Sequence, residues 1–227
     1  MSFFINRSRV SLSAFFFMSV FVVIASFTFY PADCRGQEQG EPLPTVSLDI
    51  PEKVAFAGTF IPLNRYDMRE RYDREQMAFT YAYASTIVTI KRANLYFPVI
   101  EPILEQNGIP DDFKYLALVE SNFNTRAYSS ARAAGFWQFM PETARQYGLE
   151  VSNGIDERYH IEKSTVAACR YLKDAYDRFG DWPTVAASYN AGMRRIGSEQ
   201  AIQQAGNFFD MLVFDETRMM SSNPDGL

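Results

Sequence analysis

Glu120 is an acidic residue in an otherwise apolar stretch of the chain. The segment Phe113–Phe123 predicts a helix that is hydrophobic nearly all round and runs through the protein interior. Glu120 follows Leu116 by four residues, so its carboxylate falls on a face shared with core residues. Burial raises the pKa of such a group from its ~4.3 reference toward roughly 6 or more, the range of a catalytic proton donor. The sequence therefore predicts either a general acid or a buried salt bridge to a base such as Arg126 or Arg132.

A second candidate region is the loop Ser129–Pro141, in which small residues lead into aromatic residues around one amide. Gly135 permits a positive φ or a close approach of two backbones. Trp137 and Phe139 have flat apolar faces, and Gln138 has both donors and an acceptor, a combination that suits N-acetylated sugar rings. Core packing is the simpler explanation for any one of these aromatic residues taken singly.

A third candidate region is Ala187-Ser-Tyr-Asn-Ala-Gly192, at the end of a predicted helix whose other residues are small. A hydroxyl at Tyr189 either reaches a buried carboxylate or caps an internal hydrogen-bond network. The spacing alone leaves both roles open.

Composition excludes several kinds of chemistry. The chain has one histidine, His160, and two cysteines, Cys34 and Cys169, too few for a disulfide framework or a Cys/His zinc site. A net charge of −5 disfavours binding to a nucleic-acid backbone. We therefore expect no metal, no other cofactor and no nucleic-acid partner, and catalysis must use carboxylates, hydroxyls or amides.

The elements that position these residues are predicted to be helices. The pattern indicates a long helix within residues 67–92, a shorter one between Pro98 and Gly108, one over Thr165–Phe179, and one between Pro183 and Gly192. No alternating strand pattern of useful length follows residue 63. We therefore predict an all-α domain over residues 63–217, acting as a monomer.

The two ends of the chain have a different character. Residues 14–30 carry no charge and follow Arg7 and Arg9, which is typical of a secretory signal within residues 1–36 or of a retained membrane anchor. Prolines in residues 37–62 indicate an extended lead-in, and residues 218–227 are expected to be a C-terminal tail. These features predict export to the periplasm or cell envelope, with membrane association through residues 14–30 if the segment is retained.

Four motifs follow one another along the chain. They are Glu120-Ser-Asn-Phe123, Gly135-Phe-Trp-Gln-Phe-Met-Pro141, Asp156-Glu-Arg158 followed by Ser164-Thr-Val-Ala-Ala168, and Tyr189-Asn-Ala-Gly192. Together, and in this order, they resemble the lytic transglycosylases of the goose-lysozyme-like superfamily, glycoside hydrolase family 23. The resemblance spans residues 63–217 and implies a lysozyme-like α fold with a groove for a glycan strand.

The resemblance also implies a reaction and a set of site residues. Peptidoglycan would be cleaved at the β-1,4 bond between N-acetylmuramic acid and N-acetylglucosamine, with Glu120 as acid and then base, giving 1,6-anhydromuramyl ends. Tyr189 is expected to hydrogen-bond to Glu120 and orient it. No second catalytic carboxylate is obvious, which suits a mechanism in which the substrate's acetamido group replaces it. Substrate-site roles are implied for Ser129, Gln138, Met140, Tyr147, Tyr189 and Asn190.

The chain departs from the family pattern at three sites. Arg132 and Arg194 replace glycines, and His160 with Ile161 replaces an Asp-Pro pair. We expect both arginines to be solvated at the surface, with a change of the substrate subsites or binding to the peptide-stem carboxylates of murein as the alternatives. We expect His160 to have no catalytic role. Two alternatives to a transglycosylase stay open: a hydrolytic muramidase on the same fold, and a peptidoglycan-binding envelope protein without turnover.

Overall fold

In a computed structural model, residues 48–211 are described, apart from the side chain of Tyr83. The predictions for the signal or anchor and for the C-terminal tail lie outside these residues. The described chain contains a short hairpin, β1 (Ala55–Phe56) and β2 (Thr59–Phe60), and seven α-helices. The helices are α1 (Tyr66–Tyr81), α2 (Tyr83–Gln106), α3 (Lys114–Ser121), α4 (Pro141–Gln146), α5 (Ile161–Phe179), α6 (Trp182–Ala191) and α7 (Met193–Gln203). Single 3₁₀ turns lie at Asp111–Phe113 and Glu157–Tyr159, and the predicted all-α class is confirmed.

Helix α5 is at the centre of the fold. It packs against α2 and α6, while α3 packs on α2 and α7 packs on α6. Its strong amphipathic pattern buries Ala168, Leu172 and Ala175, and Gly180 ends it in a left-handed conformation, as the sequence predicts. Asp181 caps the next helix by accepting from the Thr184 N–H at 3.0 Å. Among the described residues, no helix combines the length and apolar character needed to cross a bilayer.

The predicted boundary between the lead-in and the domain at residue 63 differs from the structure. Val54, Phe56 and Ile61 are all buried in the hydrophobic core. The hairpin that carries them pairs Ala55 with Phe60, and its turn has positive φ at Ala57 and Gly58. Proline content indicated an extended segment, but the described part of it from residue 54 onward packs with the helices.

The predicted helix boundaries near residues 82 and 98 are wrong. The apolar periodicity over 67–92 predicted one helix, but the helix breaks at Ala82. There the Ser85 hydroxyl donates to the Ala82 carbonyl and the Thr86 hydroxyl to the Phe79 carbonyl. These bonds give the backbone carbonyls partners other than those of a continuous helix. Conversely, α2 continues through Pro98, where the sequence predicts a new helix. Pro98 lies on the exposed face of α2, where water can satisfy the carbonyl that loses its partner.

Candidate active site

Glu120 lies in the last turn of α3 with its carboxyl half-buried. Burial raises the pKa of Glu120 to about 8, so the group is mostly protonated at neutral pH. No ion pair or hydrogen bond joins this carboxyl to any other residue between 48 and 211, and both Arg126 and Arg132 are exposed. Of the two roles that the sequence left open for Glu120, the salt bridge is absent from the described structure and the proton donor is favoured.

Local sequence explains how α3 presents this group. A 3₁₀ turn at Asp111–Phe113 leads directly into α3, whose residues Tyr115–Leu118 are all buried. Asn122 ends the helix in a left-handed conformation, with its N–H donating to the Leu118 carbonyl at 2.6 Å. Glu120 is thus held between a helix anchored in the core and a sharp turn.

The hydrogen bond of Tyr189 differs from the predicted one. Its hydroxyl donates to the Trp137 carbonyl at 2.8 Å rather than to the Glu120 carboxylate. Burial and then the negative charge on Glu120 raise the pKa of Tyr189 well above its ordinary value. The charge of Glu120 thus acts on Tyr189, and the bond to the Trp137 carbonyl holds the tyrosine side chain against the loop that carries Trp137.

Tyr171 is a residue of this site that the sequence analysis missed. Its ring centroid lies 5.0 Å from that of Tyr189, and its buried hydroxyl donates to the Ser188 carbonyl at 2.9 Å. It therefore joins α5 to the last turn of α6. The sequence contained a signal that could have identified Tyr171. It follows Ala168 by three residues, which places an aromatic ring with a polar hydroxyl on the buried face of α5.

The loop Ser129–Phe139 is anchored by Arg158, to which no role was assigned from the sequence. Arg158 is buried and pairs with Asp156 at 2.7 Å, an interaction that lowers the pKa of that carboxyl. Its Nη1 also donates to the carbonyls of Arg132, at 2.7 Å, and Phe139, at 2.9 Å. One buried guanidinium thus holds both arms of the loop.

The predicted substrate residues Ser129 and Gln138 occupy opposite arms of this loop. Ser129 Oγ accepts from the Ala133 N–H at 3.0 Å, and Gln138 Nε2 donates to the Gly135 carbonyl at 2.8 Å. Both side chains are half-buried, and Gln138 has a positive φ of 45°. Isolated bridges from Tyr128 to Ala134 and from Ala134 to Phe139 bring the arms side by side.

The aromatic residues that flank Gln138 serve the core. Trp137 is fully buried and its Nε1 donates to Thr165 Oγ1 at 2.9 Å, while Phe139 is 3% exposed. Neither ring has a face available to a sugar, so the core-packing interpretation is the correct one for both. Met140 and Asn190, two further predicted substrate residues, are exposed.

Tyr147 is linked to Tyr189 through the ring of Tyr171. Its ring is 7% exposed and packs against Tyr171 with centroids 5.4 Å apart. It borders a separate cavity of about 460 Å³, also lined by Lys163 and Arg170, whose lining includes none of the other predicted site residues. The ring therefore packs in the core next to this cavity, and the role of Tyr147 as a groove aromatic stays a prediction.

The three departures from the family pattern lie on the surface. Arg132 and Arg194 are exposed, as expected. His160 is also exposed, with Nδ1 at 3.0 Å from Glu162 Oε2. None of the three acts on the pKa of Glu120.

Comparisons with known proteins agree with this geometry. A family model described as "Transglycosylase SLT domain" matches residues 98–211, which contain all four motifs. Membrane-bound lytic murein transglycosylase D of Escherichia coli (strain K12) is 33% identical over 132 residues, 56% of this chain and 29% of that protein. A protein of Alteromonas sp. (strain M-1) named for tributyltin chloride resistance is 33% identical over 137 residues, 58% of this chain and 64% of its own length.

A third relative is a phage protein. Peptidoglycan transglycosylase gp16 of Escherichia phage T7 is 32% identical over 108 residues, 46% of this chain and 8% of that protein. The chain spans less than two thirds of the length of each of these relatives. Because the family model covers half of the chain, including Glu120 and the loop and helix ends around it, the chain belongs to the transglycosylase SLT domain family.

Proposed function

We propose that this protein is a peptidoglycan lytic transglycosylase, which cleaves the β-1,4 bond between N-acetylmuramic acid and N-acetylglucosamine without consuming water. The observation that carries the proposal is the state of Glu120, a half-buried carboxyl whose pKa is raised to about 8 by burial. Such a group is protonated at neutral pH and ready to donate.

The surroundings of Glu120 favour one catalytic carboxyl over two. A retaining glycosidase has a second carboxylate about 5–5.5 Å away, where its charge would further raise the pKa of the acid. Burial is the cause of the Glu120 shift, and no carboxylate among residues 48–211 contributes to it. This supports a substrate-assisted reaction, in which the acetamido oxygen of the muramyl residue is the nucleophile.

The first step then uses the proton of Glu120. Glu120 donates it to the glycosidic oxygen, the bond from that oxygen to the muramyl anomeric carbon breaks, and the acetamido oxygen bonds to that carbon. N-acetylglucosamine leaves with the proton, and Glu120 is left as a carboxylate. Because the carboxylate is disfavoured by burial, it is a strong base for the next step.

The second step regenerates the acid. The Glu120 carboxylate removes the proton of the muramyl 6-hydroxyl, whose oxygen attacks the anomeric carbon and displaces the acetamido oxygen. A 1,6-anhydro ring closes and Glu120 is protonated again. No water enters, so the products together have the atoms of the substrate.

We propose supporting roles for the remaining predicted residues. A Tyr189 hydroxyl that donates to the Trp137 carbonyl keeps lone pairs with which to accept from protonated Glu120. Ser129 and Gln138, held side by side by the loop, would bind the 6-hydroxyl and acetamido groups. Exposed Met140 and Asn190 would line the groove for the glycan. The site of action would be the cell envelope, reached through the export signal proposed in residues 1–36.

The test compares Glu120→Gln with Glu105→Gln, which changes an exposed acid on α2. Both variants and the unchanged full chain are incubated with purified sacculi, and the released fragments are analysed by mass spectrometry. We expect the unchanged chain and Glu105→Gln to release fragments one water lighter than hydrolytic products. Glu120→Gln should lose about 10²–10⁴ in rate, because it keeps the volume of the side chain but has no acidic proton to transfer.

Three results would contradict the proposal. Fragments with reducing ends would identify a hydrolytic muramidase, and intact sacculi with the unchanged chain would identify a binding protein. Release by Glu120→Gln at the rate of the unchanged chain would remove Glu120 from the mechanism.

A further inference from the structure

The turn that follows Glu120 has an unfavourable backbone conformation. Asn122 and Phe123 are consecutive and both left-handed, with φ of 50° and 49°. Residues other than glycine adopt this region rarely, and they stay there when surrounding contacts hold them. The direction in which the last turn of α3 presents Glu120 therefore depends on whatever holds these two residues.

Polar groups of α2 hold Asn122 by both its side chain and its backbone. The Thr89 side chain is buried, and its hydroxyl oxygen makes hydrogen-bond contacts with both the Ser85 carbonyl of its own helix, at 2.8 Å, and the Asn122 side-chain amide. One turn further along, Arg92 Nη1 donates to the Asn122 carbonyl at 2.9 Å. The second bond is charge-assisted and half-buried, which makes it stronger than a neutral one.

Aromatic rings of α2 hold Phe123. Its side chain is 1% exposed, and its ring centroid lies 5.9 Å from that of Tyr96 and 5.5 Å from that of Phe97. The ring of Phe136, from the loop with Gln138, completes the packing at 5.9 Å. The turn after Glu120 therefore packs both against α2 and against the loop Ser129–Phe139.

All four α2 contacts precede residue 98, at which the family match begins. We propose that Thr89, Arg92, Tyr96 and Phe97 form a clamp, outside the matched domain, that positions Glu120 for proton transfer by holding the turn Asn122–Phe123. Thr89 and Arg92 are positioning residues in this scheme, since they act through Asn122. The catalytic part of the inference rests on the proposed function.

The test uses a matched set of threonine variants in the full chain. Thr89→Val keeps the shape of the side chain and removes the hydroxyl, whereas Thr89→Ser keeps the hydroxyl. Thr80→Val on α1 is the control, because the Thr80 hydroxyl donates to the Gln76 carbonyl of its own helix. Two quantities are measured: the Glu120 carboxyl pKa by ¹³C NMR titration, and kcat and KM on glycan strands.

We expect Thr89→Val to lower the pKa of Glu120 from about 8 toward its ordinary value, because a loosened turn admits water to the carboxyl. We expect kcat to fall roughly tenfold or more, with KM little changed, because a displaced acid transfers its proton poorly. Thr89→Ser and Thr80→Val should leave the pKa and kcat unchanged. If Thr89→Val fails to fold, Arg92→Gln is measured in the same way with the same expectation.

Unchanged pKa and kcat in the folded Thr89 or Arg92 variant would overturn the proposal, as would equal effects of Thr80→Val and Thr89→Val. The NMR titration does not depend on catalysis. A shifted pKa in Thr89→Val together with an active Glu120→Gln would therefore leave the clamp standing while the proposed function fails.

Discussion

At the scale of single residues, the raised pKa of Glu120 affects stability as well as catalysis. It makes the free energy of unfolding depend on pH. The pKa of Glu120 is about 8 in the folded protein, compared with 4.5 for an ordinary glutamate. At pH values between these two pKa values, Glu120 has released its proton in the unfolded chain but keeps it in the folded chain. Since the folded state then binds more protons, its stability must fall as pH rises. This contribution to stability is fully present below about pH 4.5 and is lost as pH rises through about 8.

The corresponding prediction concerns urea unfolding of the unchanged chain and of Glu120→Gln at pH 5 and pH 8. The free energy of unfolding of the unchanged chain should contain a term that falls by at most about 1.4 kcal/mol per pH unit, and Glu120→Gln should lack it. The variant should therefore gain stability relative to the unchanged chain as pH rises. Glu105→Gln should follow the unchanged chain. A difference between the unchanged chain and Glu120→Gln that is the same at both pH values would contradict the assigned burial of Glu120.

At the scale of elements, the loop with Ser129 and Gln138 depends on a close contact with the 3₁₀ turn Glu157–Tyr159. A Cβ at Gly135 would lie 1.9 Å from the Arg158 carbonyl oxygen, and Gly135 also has a positive φ of 77°. The guanidinium of Arg158 meanwhile binds the Arg132 and Phe139 carbonyls. Backbone and side chain of one residue thus fix the loop from two sides.

Gly135→Ala and Gly108→Ala separate these two constraints. Gly108 has a similar φ of 66° but open space where a Cβ would be, so its substitution by alanine should cost only the backbone strain, about 1–2 kcal/mol. Gly135→Ala should cost about 1–3 kcal/mol more, because the loop must move away from Arg158. Denaturant unfolding measures both, and equal losses in the two variants would show that the contact with Arg158 is unimportant.

At the scale of the whole molecule, the hairpin before α1 supports the catalytic helix. The Phe56 ring lies 5.1 Å from that of Phe113, just before α3. Asp112 Oδ2 accepts from the Ala57 N–H at 2.6 Å. Together with the clamp on α2, these contacts make the segment before residue 98 part of one folded unit with the matched domain.

Substitutions on the two faces of the hairpin test this unity. Phe56→Ala removes a fully buried ring and should cost about 3–5 kcal/mol of unfolding free energy. Phe60→Ala changes a ring that is 66% exposed and should stay within about 0.5 kcal/mol of the unchanged chain. Thermal or urea unfolding should show one cooperative transition in each protein. A Phe56→Ala loss no larger than that of Phe60→Ala would mean that the hairpin is dispensable.

Local signals in the sequence determined much of this description. Gly180 and Gly192 marked the ends of α5 and α6, because a left-handed or otherwise unusual backbone at a helix end is a property of a few neighbouring residues. Glu120 lies in a helix whose neighbouring residues are apolar, and this local pattern predicted its partial burial. The periodicity of apolar residues did not reveal the break at Ala82, which depends on side-chain hydroxyls. It also did not reveal that α2 continues through Pro98, which depends on solvent exposure.

Only the tertiary structure decided which groups become partners. Trp137 reaches Thr165, Arg158 holds the carbonyls of Arg132 and Phe139, and Tyr189 donates to the Trp137 carbonyl rather than to Glu120. Spacing along a helix shows which face a side chain occupies, but each of these bonds joins segments that are distant in sequence. Which donor meets which acceptor depends on how the helices pack around α5, and that packing left Glu120 half-buried and without an ion pair among the described residues.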